Sequence, residues 1–516
     1  MFETIKNYKK ALFTIFFIGM IVHFTCYSTG EIGNPDTVLT GMVYTAGKWE
    51  ISLGRWGLLA DHLRQGIVSN VLNSIISILI TSFAMIILAC FFEIKSKTEV
   101  VLIGAVFVTA PAYSAVLTYY YCSDLYAVSI FLFLFSAYII KKCKGYYSYA
   151  AGVVCFVLAT SIYQAYIGIT VSLLRADLFL KLLQKETDWK KYFAILVKYI
   201  LFIFVSAFSY YAANKIILKL KHIPISSYGG ADKIGIPYLV NNIPKSFIGA
   251  YQEFYEYFMG NKFMELYCWY APLISILLLM ILCGTLLLCI SRYHFSVWKL
   301  FMSGVIVACF PIGVNLIRLI APDRKISLLM AVPMAVVIPI CLCIFIKISD
   351  RMKMGWVRII GMFLSVYFIF VYSYIDNASY MNRKIMYNRN CNIAERILDR
   401  IEPLYESTVS KKVMFVGNIN DNSYYKREDA IKAYAHEVGK WGITWDNYAG
   451  VKIGLERIYD TFFGIKLDIC TDEEYIKIIQ KDVFAEMGIF PETTSIRVID
   501  DIIVVRLSEH FYLPEL

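Results

Sequence analysis

A short polar stretch after the first apolar run, EIGNPDTVLTGMVYTAGKWEISLGRWGLLADHLR from Glu31 to Arg64, gathers carboxylates, a lysine, two arginines and two tryptophans. Acidic side chains this close to membrane-length apolar runs are costly unless they face water, which makes them functional candidates. Asp36, in the string Asn34-Pro35-Asp36-Thr37, is placed to act as a general base that takes the proton of a hydroxyl attacking an anomeric carbon. Glu31 is near enough to share that role. The same string reads equally as a solvated turn or helix cap around a proline.

Further along, GRWG presents Arg55 beside Trp56, with Trp49 just before it. A guanidinium there can hold a phosphate through its planar fork, and an indole can stack on a sugar face. The alternative is an amphipathic helix lying on the bilayer, with Trp and Arg as interfacial anchors. Asp124, in TYYYCSDLYAVS, is either a helix cap beside Ser123 or a second carboxylate for a metal ion or an acceptor. Tyr163, Gln164 and Tyr166, in SIYQAYIG, suit sugar hydroxyls or, equally, an aromatic belt. Arg318, Asp323, Arg324 and Lys325, in NLIRLIAPDRK, form a basic loop able to stabilise a departing phosphate; otherwise it is a solvated loop. Tyr228, Asp232 and Lys233 lie in SSYGGADKIG without a spacing that assigns them a role, and Gly417 in VMFVGNIN lacks the continuation of a nucleotide-binding turn.

The elements that must position these residues are apolar. Of the 516 residues, 58% are hydrophobic and 17% charged, and the mean hydropathy is +0.58. A soluble chain carries about a quarter charged residues, so the composition predicts an integral membrane protein. Spanning-length runs fall near 11–28, 68–92, 100–117, 124–140, 147–162, 164–182, 193–212, 270–290, 299–317, 326–346 and 357–375, about eleven transmembrane helices. The net charge of +10 resides largely in the short loops between runs, which argues for topology and against nucleic acid as a partner. Most cysteines sit in or beside apolar runs, and no zinc spacing appears; Cys391 and Cys470 are the one pair that could bridge in the tail.

Basic residues recur in alternate loops: Lys6, Lys9 and Lys10, then Lys95 and Lys97, Lys141 to Lys144, Lys181 to Lys191, Arg292 with Lys299, and Lys347 to Arg358. The positive-inside rule predicts a cytoplasmic N-terminus, retained as a signal-anchor, and an outer C-terminus. The expected organisation is a membrane body over 1–375, with outer loops at 29–66 and 213–265, followed by an extracytoplasmic domain at 376–516. In that tail, IAERILDRIEPLYES has helical periodicity, KKVMFVGNI reads as a strand ending in a turn, and SIRVIDDIIVVRLS reads as two short strands, which predicts a small α/β domain.

The order and spacing of NPDT, GRWG, SIYQAYIG, SYGGADKIG and the closing KKVMFVGNI resemble those of bacterial membrane glucosyltransferases that modify O-antigen and related surface glycans, within the GT-C superfamily. The resemblance covers most of the chain. It implies a polytopic α-helical GT-C fold and transfer of glucose, or another hexose, from a polyprenyl-phosphate-sugar to a cell-surface glycan at the outer face. It also implies an essential acid in the first outer loop, which maps to Asp36. Many relatives carry two adjacent acids there, whereas this chain has Pro35-Asp36-Thr37; whether Glu31 substitutes for the missing acid, and whether a divalent metal ion takes part, stay open. The implied partners are the lipid-linked donor, the glycan acceptor, the bilayer, and a donor synthase and flippase. Two rivals remain: a surface-polysaccharide polymerase or ligase, which places a key Arg in its long outer loop (213–265 has none), and a non-enzymatic lipid-linked-sugar flippase, which shows repeats and broken helices.

Overall fold

The computed structural model describes residues 7–29, 33, 43–184, 187–228, 236–259, 283, 296–322, 326–425 and 447–514. Chain contacts divide it into two compact units: Met1–Tyr27 with Tyr44–Asn377, and Ser28–Val43 with Ala378–Leu516.

In the first unit the described apolar runs are helical, but several are not single rods. Helices Asn70–Phe92, Ser123–Lys142, Trp189–Lys221, the stretch Leu329–Met352 and the stretch Gly355–Ser407 are each long and apolar enough to cross a membrane. The helices Lys97–Val108 and Pro111–Thr118 make a sixth if counted as one span, bent by 57°. Proline explains the bend, since it cannot donate to the preceding turn. The expected run at 299–317 is divided into Val297–Ala308, Phe310–Val314 and Leu316–Ile320, with Pro311 inside the second piece. Of the run at 270–290, only Cys283 lies among the described residues. The helix Trp189–Lys221 continues well past the predicted end at 212, because ANKIILKLK adds good helix formers without a Gly or Pro stop. The outer loop expected from 213 therefore begins after Lys221.

Each break in an apolar helix frees backbone groups that must find partners within the protein. The first predicted span is interrupted at His23, between helices Lys9–Val22 and Phe24–Thr29. The buried His23 ring donates from Nε2 to the Val108 carbonyl at 2.6 Å, beside the bend at residues 109–110. Arg175, inside the helix Ile167–Leu182, donates to the Cys309 carbonyl where Val297–Ala308 ends. Asn315 donates to the Ala250 carbonyl at 3.0 Å. Polar side chains elsewhere in the helices also point inward. Asn73 donates to the Tyr120 carbonyl at 2.7 Å, and Ser77 meets the Tyr113 hydroxyl at 3.1 Å. The buried Asp177 joins three helices by accepting from Lys141 at 2.8 Å and from the Tyr199 hydroxyl at 2.8 Å.

The second unit is a small α/β fold. Strands β1 (Lys412–Val416), β2 (Asp468–Ile469), β3 (Ile496–Ile499) and β4 (Ile502–Arg506) form a sheet in the order β2-β1-β4-β3. β1 runs parallel to β2 and β4, while β3 and β4 pair antiparallel. Alternation along the strands supplies both faces. Val413, Phe415, Ile503 and Val505 pack against Ile393–Ile401 and the helix Tyr448–Phe463. Met414, Val416, Ile502 and Val504 pack against Tyr475, Ile478, Phe484 and Met487. The β3–β4 hairpin turns on Asp500 and Asp501 at φ 49° and 64°, the left-handed pair that a tight two-residue hairpin requires. Cys391 and Cys470 are free thiols, so the tail carries no bridge between them.

Two outcomes are expected. His23→Ala leaves the Val108 carbonyl without its donor and should cost about 1–3 kcal/mol, read as a lower unfolding midpoint in detergent; an unchanged midpoint would mean that another group takes up the carbonyl. Asp501 accepts the Val409 and Ser410 amides at 2.7 Å each, and those backbone bonds hold its carboxyl below the usual range. A depressed folded pKa means that its stabilisation is fully present above the unfolded value of about 4 and is lost as pH falls through the folded value. In Asp501→Asn, exchange of the Val409 and Ser410 amides, corrected for intrinsic rates, should lose this acid dependence.

Candidate functional site

The first-loop segment 44–66 folds into a closed structure within the first unit. The carboxylate of Asp61 is fully buried and accepts the Ala46 amide at 2.6 Å. The Tyr44 amide donates to the Gly66 carbonyl at 2.8 Å, which ties the two ends of the segment together. Between them the chain forms a short helix, Lys48–Ser52, a turn at Gly54, and a 3-10 stretch, Trp56–Arg64. The single amphipathic helix considered for WEISLGRWGLLADHLR does not form, because Gly54 adopts φ +75° and ends the first helix.

The GRWG glycines are required by close approach. A Cβ on Gly54 would fall 2.4 Å from the Tyr210 hydroxyl, and one on Gly57 would fall 2.4 Å from Ser161 Oγ and 2.9 Å from its carbonyl carbon. Tyr210 donates to the Gly54 carbonyl at 2.8 Å, and Gln164 Nε2 donates to the Leu53 carbonyl at 2.9 Å. These contacts pin GRWG against the helix Tyr146–Ile162 and the turn Gln164–Tyr166.

Held in this way, Arg55 lies over the ring of Tyr163 at 4.9 Å. Tyr163, Tyr126 and Tyr166 form a contiguous aromatic cluster, with centroids 4.9 Å apart for Tyr126–Tyr163 and 4.8 Å for Tyr163–Tyr166. Tyr119 joins at 6.0 Å from Tyr126, and Tyr121 links it to Tyr44 at 4.4 Å. Burial opposes the Arg55 charge, but Tyr163, Tyr126, Tyr121 and Tyr228 outweigh it and hold the pKa above the ordinary arginine value. Burial first, then Cys122, Glu50 and Asp61, push the Tyr44 phenol above its usual range, so it stays neutral. Arg64 closes the cluster from the other side, donating from Nη1 to Asp124 Oδ2 and from Nη2 to the Tyr121 carbonyl.

The polar inventory of this cluster is incomplete. Arg55 Nε, Trp56 Nε1, Asp61 Oδ1, Arg64 Nε, Asp124 Oδ1 and the Tyr166 hydroxyl are buried and have no hydrogen-bond partner among the described residues. Native interiors leave few such groups, and a concentration of them marks a place where a ligand or water completes the bonding. By contrast, a cavity of about 220 Å³ lined by Arg175, Phe179, Phe254, Phe258, Ile306 and Phe310 is almost wholly apolar and includes none of these atoms.

The family model for "Glucosyl transferase GtrII" matches residues 36–344, well over half of the chain. The chain belongs to the GtrII glucosyltransferase family. Comparisons with curated proteins and with solved structures gave no match. Membership brings a sugar donor and a sugar acceptor, and the apolar helices of the first unit are consistent with a GtrII enzyme housed in a membrane.

Within this GtrII chain the predicted residues separate into groups. Arg55, Trp56, Asp124, Tyr163 and Gln164 come together in the cluster. Arg318 is close by, because Leu316–Ile320 packs on the Gln164–Tyr166 turn, and its Nη2 donates to the buried Glu253 at 3.0 Å. Asp36, Glu31 and Arg324 lie outside the described residues, as do Asp232 and Lys233. Tyr228 packs edge-on against Trp49 at 5.5 Å. Among the described residues no three His, Cys, Asp or Glu side chains are grouped to hold a metal ion. Sequence reasoning missed Arg64, Asp61, Tyr126 and Tyr210; Tyr126 lies in the string quoted for Asp124, but nothing in the sequence points to Tyr210, which arrives from a distant helix.

Gly57→Val should push Trp56–Arg64 off Ser161 and move Arg55 and Trp56 by about an ångström, a displacement that costs on the order of a hundredfold in kcat/KM. Transfer rates of the purified variant check this, and wild-type activity would show that the 3-10 stretch has room to move.

Proposed function

We propose that this GtrII-family chain transfers glucose from polyprenyl-phosphate-glucose to a cell-surface glycan at the outer face of the cytoplasmic membrane, within a GT-C fold. In this reading the N-terminus is cytoplasmic and residues 376–516 form an extracytoplasmic domain, as the alternating lysine loops suggest. The observation that carries the proposal is Arg55: a half-buried side chain stacked on Tyr163, paired with no carboxylate among the described residues, and with a buried, open Nε. A cation without an anion in a desolvated aromatic setting suits a phosphate supplied by a ligand.

The step balances simply. The acceptor oxygen forms a bond to the anomeric carbon as the bond from that carbon to the phosphate oxygen breaks. The hydroxyl proton passes to the carboxylate of Asp36, with Glu31 as the alternative, and the bonding pair leaves on the polyprenyl phosphate. Arg55 and Arg324 would stabilise that leaving charge. Arg318, already engaged by Glu253, would hold the helix Ile243–Phe258 beside the site. Tyr163, Gln164 and Asp124 would line the sugar, and Trp56 would stack on it or donate to a hydroxyl.

The broken helices among the described residues, such as the bend between Lys97–Val108 and Pro111–Thr118, are the feature that favours a flippase. The deciding experiment is transfer of labelled glucose from synthetic polyprenyl-phosphate-glucose to host envelope glycan by the purified protein, with Asp36→Asn beside it. Transfer by the wild type, lost by at least about a hundredfold in Asp36→Asn, is expected. Movement of the lipid-linked sugar across vesicles without any transfer would overturn the reading.

A further inference from the structure

Arg64 and Asp124 have no role in the step just described beyond lining the sugar, yet their geometry is specific. Arg64 ends the 3-10 stretch, where the left-handed Gln65 and Gly66 turn the chain back toward Tyr44. Asp61, three residues earlier, holds that turn: its carbonyl accepts the Gly66 amide at 3.3 Å and its carboxylate accepts the Ala46 amide. Arg64 is thus delivered on a braced loop. Its two terminal nitrogens are both used, one on Asp124 Oδ2 and one on the Tyr121 carbonyl, in the first turn of Ser123–Lys142 and just before it.

This arrangement fixes the Asp124 carboxylate through one oxygen and leaves Oδ1 buried and without a partner among the described residues. The side chains of Arg64 and Asp124 are 21% and 14% exposed. An ion pair this buried yields little net stability, because desolvation cancels much of the attraction. Through Arg64 the carboxylate is tied to Tyr121, whose ring lies 6.2 Å from Tyr119, itself 6.0 Å from Tyr126. A carboxylate held through one oxygen, with the other buried and open beside Tyr121, suits a hydroxyl of a sugar ring.

We propose that Arg64 is a positioning residue that orients Asp124, and that Asp124 Oδ1 accepts a hydrogen bond from one hydroxyl of the transferred sugar and so determines which sugar is accepted. The inference rests on the glucosyl-phosphate reading above and deepens it by naming the specificity element.

The test is binding, by calorimetry in detergent, of farnesyl-phosphate-glucose and its four monodeoxy analogues to the wild-type protein, Asp124→Asn, Arg64→Gln and Arg64→Lys. The wild type should bind one analogue about ten- to a hundredfold more weakly than the parent. Asp124→Asn and Arg64→Gln should bind the parent more weakly by a similar factor and lose the discrimination against that analogue, while Arg64→Lys restores part of it. A merely structural pair would lower folding yield or midpoint and leave the discrimination intact in the protein that remains folded, which would overturn the proposal. Equal binding of all five compounds by the wild type would also overturn it, with the glucosyl-phosphate reading still standing. Binding of none of them would remove both. Full wild-type discrimination in Asp124→Asn together with abolished transfer would make Asp124 the base instead, and would refute its role as a hydroxyl acceptor.

Discussion

Apolar helices leave no water to receive an unpaired backbone carbonyl, and the first unit is built around that constraint. Its helices break where the chain needs a bend, and side chains at or near the breaks bond backbone carbonyls of other helices. His23 serves Val108, Arg175 serves Cys309, and Asn315 serves Ala250. These bonds join elements far apart in the chain, so the bends are fixed rather than soft. The loops carried by those helix ends inherit the same rigidity.

The polar cluster at Arg55 depends on this. Gly57 approaches the helix Tyr146–Ile162, and Gly54 approaches Tyr210 and Gln164, so closely that only glycine fits at each, and Gln164 and Tyr210 hold the Leu53 and Gly54 carbonyls. The tyrosines come from three stretches of sequence: 119–126, 163–166 and Tyr44. Packed edge to face, they make a wall that is apolar in area yet able to bond hydroxyls, the mixture that sugar recognition needs. Within this wall, among the described residues, Arg55 has no carboxylate partner while Arg64 has Asp124. The two arginines of the loop thereby differ in setting: one lies over an aromatic ring, and the other is engaged by Asp124.

Much of the scaffold was legible from the chain. Mean hydropathy and run length marked the apolar runs, and those described are helical, though several are broken or longer than expected; the alternation in KKVMFVGNI and SIRVIDDIIVVRLS located β1, β3 and β4. The string GRWG pointed to Arg55 and Trp56, and SIYQAYIG to Tyr163 and Gln164. Less legible were the continuity of helices through Trp189–Lys221 and Gly355–Ile401, where polar residues suggest a loop or a new element but no Gly or Pro stops the turn. Arg64 was passed over because an arginine near the end of an interfacial segment looks like an ordinary anchor until its carboxylate partner, 60 residues away, is in place.

The sequence by itself determined the membrane-length apolar runs, the helical class of the first unit, the α/β class of the second and the short strings that carry the family likeness. All of these rest on local composition, periodicity and residue order. Only the tertiary structure decided which charges pair, which buried polar atoms stay open and which aromatic rings face Arg55. Those properties depend on distances between segments remote in the chain, and helix packing sets such distances where local patterning cannot.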